Sequence, residues 1–275
     1  LALLGESLNK LNRVEAAAVG GAVVMGGDID VDAAMGAAVI DTSDLVDAAV
    51  SEDESKIAPN VLSALLPDSD VVVLPEVERI AGGFVYCVAK RVLDVIACCV
   101  ALIILSIPMA IIAAKIKHES AGSAIYKQCR VGKDGKLFNV YKFRTMCDDA
   151  EVRGAQWAKD DDPRITLFGK KLRMSRFDEL PQFWNVIKGD MSLVGPRPER
   201  PIFCDEFRKK IIGWDQRTLI SPGITGLAQV RGGYDLLPKE KARLDIEYIE
   251  SRNLWLDFKL ICQTISVLFT HEGAR

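Results

Sequence analysis

Residues 95–114 read VIACCVALIILSIPMAIIAA, twenty positions without a charge. At about 1.5 Å of helical rise per residue, that run matches a bilayer hydrocarbon core of about 30 Å. A buried core helix is the alternative. Two details argue against a straight span. Pro108 sits inside the run, where it removes a backbone donor and bends a helix. Lys90 and Arg91 precede the run, and Lys115 and Lys117 follow it. The positive-inside bias then holds both ends on the cytoplasmic side. The sequence predicts a helix broken near Ser106-Ile107-Pro108 that enters and leaves by one leaflet. Ser106 is the candidate to satisfy backbone groups freed at the break. Asp94, at the start of the run, is expected to pair with a nearby Lys or Arg.

Charge divides the remainder. Residues 1–80 carry 15 acidic and 4 basic side chains, and residues 81–275 carry 23 acidic and 31 basic ones. The basic portion favours an anionic partner such as phosphates, nucleic acid or a lipid surface. Seven cysteines are scattered without a CxxC pair, which suits reduced thiols and a cytoplasmic catalytic face. With two histidines in the chain, a His-based zinc site or a Ser/His triad is not expected. No basic segment precedes an apolar core at the start, so no signal peptide is expected. The glycines at 20, 21, 26 and 27 do not have dinucleotide-loop spacing and read as turns.

The organisation predicted is an acidic region over 1–80, a membrane re-entrant helix over 81–118 and a catalytic domain over 119–275. The first region suits a small α/β unit, with strands near residues 19–28 and 71–74. Residues 124–127 and 138–143 alternate like strands around the turn Gly132-Lys133-Asp134-Gly135. From 148 onward the pattern is helical. Residues 239–269 have helical spacing and end in a dense apolar stretch with Trp255. That stretch fits an amphipathic helix at the lipid interface, and packing on the protein core fits equally. The fold class expected is α/β, mostly helical with a small β element.

Four clusters carry candidate chemistry. Tyr141-Lys142-Phe143-Arg144-Thr145-Met146 ends a strand, whose alternation puts Lys142 and Arg144 on one face. Five cations lie between Arg164 and Arg176, directly before Phe177-Asp178-Glu179-Leu180-Pro181-Gln182. Cations lower carboxylate pKa values, so both carboxylates are expected to be ionised. An ionised carboxylate can attack phosphorus or bind Mg²⁺; a plain helix-start turn is the ordinary reading of such a dipeptide. In Gly195-Pro196-Arg197-Pro198 two prolines stiffen a loop that presents one guanidinium, a form suited to phosphate. Ser221-Pro222-Gly223-Ile224-Thr225-Gly226-Leu227-Ala228-Gln229-Val230 is rich in turn residues, and its chemistry is not evident from residue type.

In this order, after a proline-broken apolar segment, the clusters resemble the bacterial sugar transferases, the polyprenyl phosphate glycosylphosphotransferases. The resemblance runs from about residue 89 to 274 and rests on KFRTM, on DELPQ-WNV-KGDMSLVGPRP, on PGITGLAQV, and on Asp245, Tyr248 and Asp257. It implies a monotopic enzyme of the bacterial inner membrane, with its catalytic domain on the cytoplasmic face. It implies a two-step reaction of a UDP-sugar, UDP-glucose or UDP-galactose, with polyprenyl phosphate. Asp178 would attack the phosphate that bears the sugar and release UMP, and Glu179 would hold Mg²⁺. Arg173 matches a basic residue before the dyad, and Lys142, Arg144 and Arg197 are further phosphate-contact candidates. Membrane lipid is an implied partner, a homo-oligomer is left open and nucleic acid is not expected. Here Ile107 separates Ser106 from Pro108, and Arg176 stands where the family has a small or polar residue. A membrane-anchored Mg²⁺-dependent phosphohydrolase using Asp178, and a non-catalytic membrane adaptor, are the competing readings.

The hairpin reading predicts that accessibility labels at residues near 90 and 117 react from the same face of the membrane; reaction from opposite faces overturns it. Pro108→Ala is expected to straighten the segment towards a full span.

Overall fold

A computed structural model of the chain describes residues 65–66, 71–147, 162–232 and 236–270, with side chains to residue 266. The strand expected near residues 19–28 and the rest of the acidic α/β unit before residue 65 lie outside the described residues. All the described residues belong to one unit, Ala48–Arg275.

The apolar run forms the core of helix α1, Phe84–Glu119, which is long and apolar enough to cross a membrane by length and composition. Its hydrogen-bonded helix continues through Pro108, where the sequence predicts a break. One missing amide removes a single rung of the ladder, and the turns on either side carry the helix past it. The Ser106 hydroxyl donates to the Ile103 carbonyl at 2.8 Å, one residue before the Ile104 carbonyl that an amide at 108 would have served. One stripe of α1 faces protein. Asp94 and Cys98 are buried on it near the start, and Ile112 and Ile116 near the end. Between them Ile103, Ile104 and Ile107 are about three-quarters exposed, at 74%, 69% and 72%.

A hairpin follows. Strands β2, Ile125–Val131, and β3, Leu137–Phe143, pair antiparallel from Ile125↔Phe143 to Val131↔Leu137. The turn between them is the predicted Gly-Lys-Asp-Gly segment, with Asp134 and Gly135 at positive φ. β2 runs four residues beyond the sequence expectation. Helices α2, Leu167–Met174, and α3, Gln182–Lys188, lie along α1. Leu172 of α2 packs with Ile112, Ile116 and Phe143. Val186 of α3 packs with Cys98 and Val140. Thr166 caps α2 by accepting from the Gly169 amide at 2.9 Å. Arg91 of α1 donates to the Val186 and Ile187 carbonyls at the end of α3.

The other side of the body is α-helical. It contains α4, Pro201–Lys210, the short α5, Leu227–Arg231, α6, Pro238–Ser251, and α7, Leu254–Thr270. The predicted single segment over 239–269 is two helices. Arg252 leaves helical geometry, and Asn253 restarts the chain by accepting from the Leu256 amide at 2.9 Å. Phe203, Phe207, Ile211, Trp214, Ala242 and Ile246 form the core there. Trp255 and Phe258 of α7 are exposed and stack at 5.8 Å.

Residues 71–81 pack onto this body. β1, Val72–Val73, pairs in parallel with β5, Ile211–Ile212. Gln216 donates to the Pro75 carbonyl and accepts from the Val77 amide, and the Ala81 amide donates to Ile249. Leu74 is buried in the core formed by Phe207 and Trp214.

A buried polar group joins α1 to the body. Asp94 accepts from the Ser192 hydroxyl at 2.6 Å and lies 3.7 Å from Lys90. Lys90 also meets Asp257 of α7 at 3.1 Å, and Asp257 accepts from Tyr86 and Tyr248. The Tyr248 hydroxyl is buried between Asp257 and the Val194 carbonyl. Tyr248→Phe is expected to lower stability by about 1–2 kcal/mol, the cost of leaving buried acceptors unpaired. A lowered melting temperature in detergent checks this; an unchanged one contradicts it.

Candidate active site

Asp178 and Glu179 sit in a single 3-10 turn, Phe177–Glu179, between α2 and α3. The turn begins at Arg176, which holds φ 55°, a left-handed conformation uncommon for a residue with a side chain. Pro181 then opens α3 where a missing amide costs nothing. The adjacent carboxylates thus share a short rigid turn, and their surroundings differ.

Glu179 is clamped. Lys142 of β3 reaches its Oε1 at 3.0 Å, and Arg197 reaches the same oxygen at 2.6 Å. A second Arg197 nitrogen lies 3.5 Å from Oε2. These two cations hold the Glu179 carboxyl well below the usual carboxylate range, against the opposing effect of burial. Asp178 has no direct hydrogen bond among the described residues. Burial, and then the neighbouring Glu179 charge, push its carboxyl up to about 6, while Lys142, Arg173 and Arg197 partly offset the rise. The sequence expectation that cations depress both carboxylates holds for Glu179 and fails for Asp178. Desolvation, which a count of charges does not register, outweighs the cations there.

Each cation is set by its own element. Lys142 comes from β3, whose backbone is gripped by Asn185 of α3. The Asn185 Oδ1 accepts from the Tyr141 amide at 3.0 Å, and its Nδ2 donates to the Asn139 carbonyl at 2.7 Å. Asn185 is fully buried. It falls inside the WNV motif, yet residue type alone does not reveal this role. Arg173 is aimed from α2 by its bond to the Thr145 hydroxyl at 2.9 Å. Arg144 lies elsewhere: it is buried and donates to the Ser120 carbonyl and hydroxyl at the end of α1. The chain leaves β3 at Phe143, so the face alternation that would set Arg144 beside Lys142 ends there.

Arg197 stands on the proline-flanked loop after β4, Ser192–Val194. That strand pairs in parallel with β6, Gly223–Thr225, by Ser192↔Gly223 and Val194↔Thr225. Gly195 donates to the Thr225 carbonyl at 2.8 Å, and Gly223 to the Pro196 carbonyl at 2.9 Å. A Cβ on Gly195 or Gly223 would strike backbone of the facing segment. The PGITG motif is therefore the rail on which the arginine loop rests. Arg130 of β2 also holds that loop, donating to the Pro198 carbonyl at 3.0 Å.

Among the described residues no group of three or more His, Cys, Asp or Glu side chains is arranged to hold a metal ion. Mg²⁺ commonly takes one or two carboxylates and completes its shell with phosphate oxygens and water. Glu179 fits that role as a single ligand, since its two cations converge on Oε1 and Oε2 has only a long contact.

Residues 85–271 match the sequence profile described as bacterial sugar transferase. The chain is similar to a UDP-N-acetylgalactosamine-undecaprenyl-phosphate N-acetylgalactosaminephosphotransferase of Aeromonas hydrophila. The two are 45% identical over 195 residues, 70% of this chain and 46% of that protein. It is 41% identical over 196 residues, 68% of this chain and 41% of the relative, to a UDP-glucose:undecaprenyl-phosphate glucose-1-phosphate transferase of Klebsiella pneumoniae. A putative undecaprenyl-phosphate N-acetylgalactosaminyl 1-phosphate transferase of Bacillus subtilis is 49% identical over 132 residues, 48% of this chain and 74% of its own length. The chain spans less than half the length of the first two.

Glu179→Gln removes the charge that helps to raise the Asp178 pKa. The Asp178 carboxyl, followed by ¹³C NMR, is expected to titrate below about 6 in that variant. An unchanged midpoint would show that the two groups do not interact.

Proposed function

The chain belongs to the bacterial sugar transferase family, and on that footing we propose that it moves a sugar-1-phosphate from a UDP-sugar to a polyprenyl phosphate. The observation that carries this reading is the division between its two carboxylates. Glu179 is immobilised by Lys142 and Arg197, and Asp178 beside it is desolvated and has no direct ion pair among the described residues. A group titrating near 6 is about nine-tenths ionised at pH 7 and keeps more nucleophilicity than a carboxylate locked in a salt bridge.

In the first step an Asp178 oxygen attacks the phosphorus that bears the sugar. The Asp–O–P bond forms as the bond to the bridging diphosphate oxygen breaks, and UMP departs with that electron pair. In the second step a phosphate oxygen of the polyprenyl carrier attacks the same phosphorus and frees Asp178. Arg173 and Arg197 would receive phosphate oxygens, and Lys142, paired with Glu179, would keep that carboxylate in register. Phosphoryl transfer depends mainly on this kind of positioning and charge neutralisation. Glu179 would hold Mg²⁺, which would supply charge neutralisation for a diphosphate.

The acceptor's long chain stays in lipid, so the site must lie at the membrane surface. The helix runs unbroken through Pro108, so the re-entrant reading of α1 rests on its contacts and not on a break there. Residues 94 and 98 near one end, and 112 and 116 near the other, bury against the same body. A straight crossing would carry one end about 30 Å away, across the hydrocarbon. The exposed isoleucines between these contacts would face lipid. The cationic flanks favour the cytoplasmic face of the bacterial inner membrane. UDP-glucose and UDP-galactose are the proposed donors, and the N-acetylgalactosamine relatives add UDP-N-acetylgalactosamine to the panel to be tested.

Purified protein supplied with each UDP-sugar is expected to release UMP only when polyprenyl phosphate is present, and Asp178→Ala to abolish release. Lipid-independent release would favour hydrolysis, and undiminished turnover without Asp178 would end the proposal. Because Asp178 must be ionised to attack, the rate should fall as pH drops through about 6, to about a tenth of its plateau at pH 5. A rate flat from pH 7 to 5 would contradict the assignment.

A further inference from the structure

A buried ion pair lies behind the arginine loop, away from the dyad. Arg217, in the 3-10 turn Trp214–Thr218, is 6% exposed, and Asp245 of α6 is 1% exposed. The Arg217 Nε and Nη2 both donate to Asp245 Oδ2, at 3.0 and 2.6 Å. The guanidinium lies over the Trp214 ring, 4.4 Å from its centroid. Taking two charges out of water costs several kcal/mol each, and a packed apolar pair commonly gives equal or greater stability. Stability alone is therefore a weak reason for such a pair.

Its geometry supplies a better one. The Arg217 Nη2 also donates to the backbone carbonyl of Arg197, at 3.0 Å. No apolar residue could make that bond. Pro196 and Pro198 flank Arg197, and Arg130 donates to the next carbonyl, that of Pro198. Two neighbouring peptide groups are thus pinned from two sides, and the side chain between them reaches Glu179 at 2.6 Å. Trp214 and Asp245 fix the guanidinium plane, so the bond to Arg197 has a defined direction.

We propose that Arg217 is a positioning residue for the reaction: held by Asp245 and Trp214, it fixes the Arg197 peptide so that the Arg197 side chain meets Glu179 and the donor diphosphate. This rests on the transferase reading for its kinetic consequence, and on the contacts alone for its structural one. Lysine at 217 keeps a cation for Asp245 and loses the planar fork that serves Asp245 and the carbonyl together.

The test uses the full chain in detergent as wild type, Arg217→Lys, Arg197→Ala and the double variant. Arg217→Lys is expected to lower kcat/KM for UMP release by about tenfold or more in the wild-type background. In the Arg197→Ala background the same change should cost less than about twofold, because the residue acts through Arg197. Hydrogen–deuterium exchange should accelerate at the Gly223 amide, which donates to the Pro196 carbonyl of the loop, in Arg217→Lys, with the β2–β3 hairpin unchanged. Equal losses in both backgrounds, or unaltered exchange at that amide, would overturn the inference. Absence of lipid-dependent turnover in the wild type would remove the transferase reading and leave exchange to decide this one. If Arg217→Lys does not fold, the isosteric Asp245→Asn carries both measurements, with the same outcomes expected and the same ones fatal.

Discussion

A carboxylate on an apolar helix, Asp94, sets the relation between α1 and the body it packs on. An unpaired charge at such a depth would be costly, and it is tolerated here because Ser192 and Lys90 answer it. Those partners exist in one register only. A quarter-turn of α1 would take the carboxylate out of reach of the Ser192 hydroxyl and leave its charge unanswered. The hydrophobic stripe beside it supplies attraction without direction, since Cys98, Ile112 and Ile116 would pack acceptably in neighbouring rotations. Polar pairing selects among them. The selection passes inward, because Ser192 begins the strand that leads to Arg197.

The active-site turn is built on the same plan, with directional bonds choosing one arrangement out of many that packing would allow. Asn185 couples α3 to the backbone of β3, the Gly195–Gly223 contact seats the arginine loop, and Thr145 aims Arg173. Three cations from three elements then converge on two adjacent carboxylates. The asymmetry follows: one carboxylate is saturated with positive partners and the other has none in direct contact among the described residues. Neighbours in sequence differ in chemistry because their neighbours in space differ.

Much of this was legible in the chain itself. The uncharged run with its proline, the Gly-Lys-Asp-Gly hairpin and the DELPQ, GPRP and KFRT segments mark the elements and the dyad, because each depends on local backbone rules or on long unbroken motifs. Lys142, Arg173 and Arg197 converge on the dyad, whereas Arg144, two positions from Lys142, does not. A residue's place in a basic cluster gives its charge and not its direction. Asn185 and Arg130 were illegible for the converse reason, since polar side chains that serve distant backbone carry no local signature. The split at Asn253 escaped a reading based on hydrophobic spacing because the apolar period continues on both sides of it. Continuation of α1 through Pro108 shows that a proline removes one rung and leaves the outcome to its surroundings.

The pairing of Val72–Val73 with Ile211–Ile212, reinforced by Gln216 at Pro75 and Val77, works as strain relief. Tension on the chain ahead of residue 72 is taken up by the rigid body at that point, as a clamp on a cable's sheath spares the soldered joint. The stretch from there to residue 81 is bonded to the same body at Val77 and Ala81, so a pull from upstream would reach that body before it reached the seat of α1.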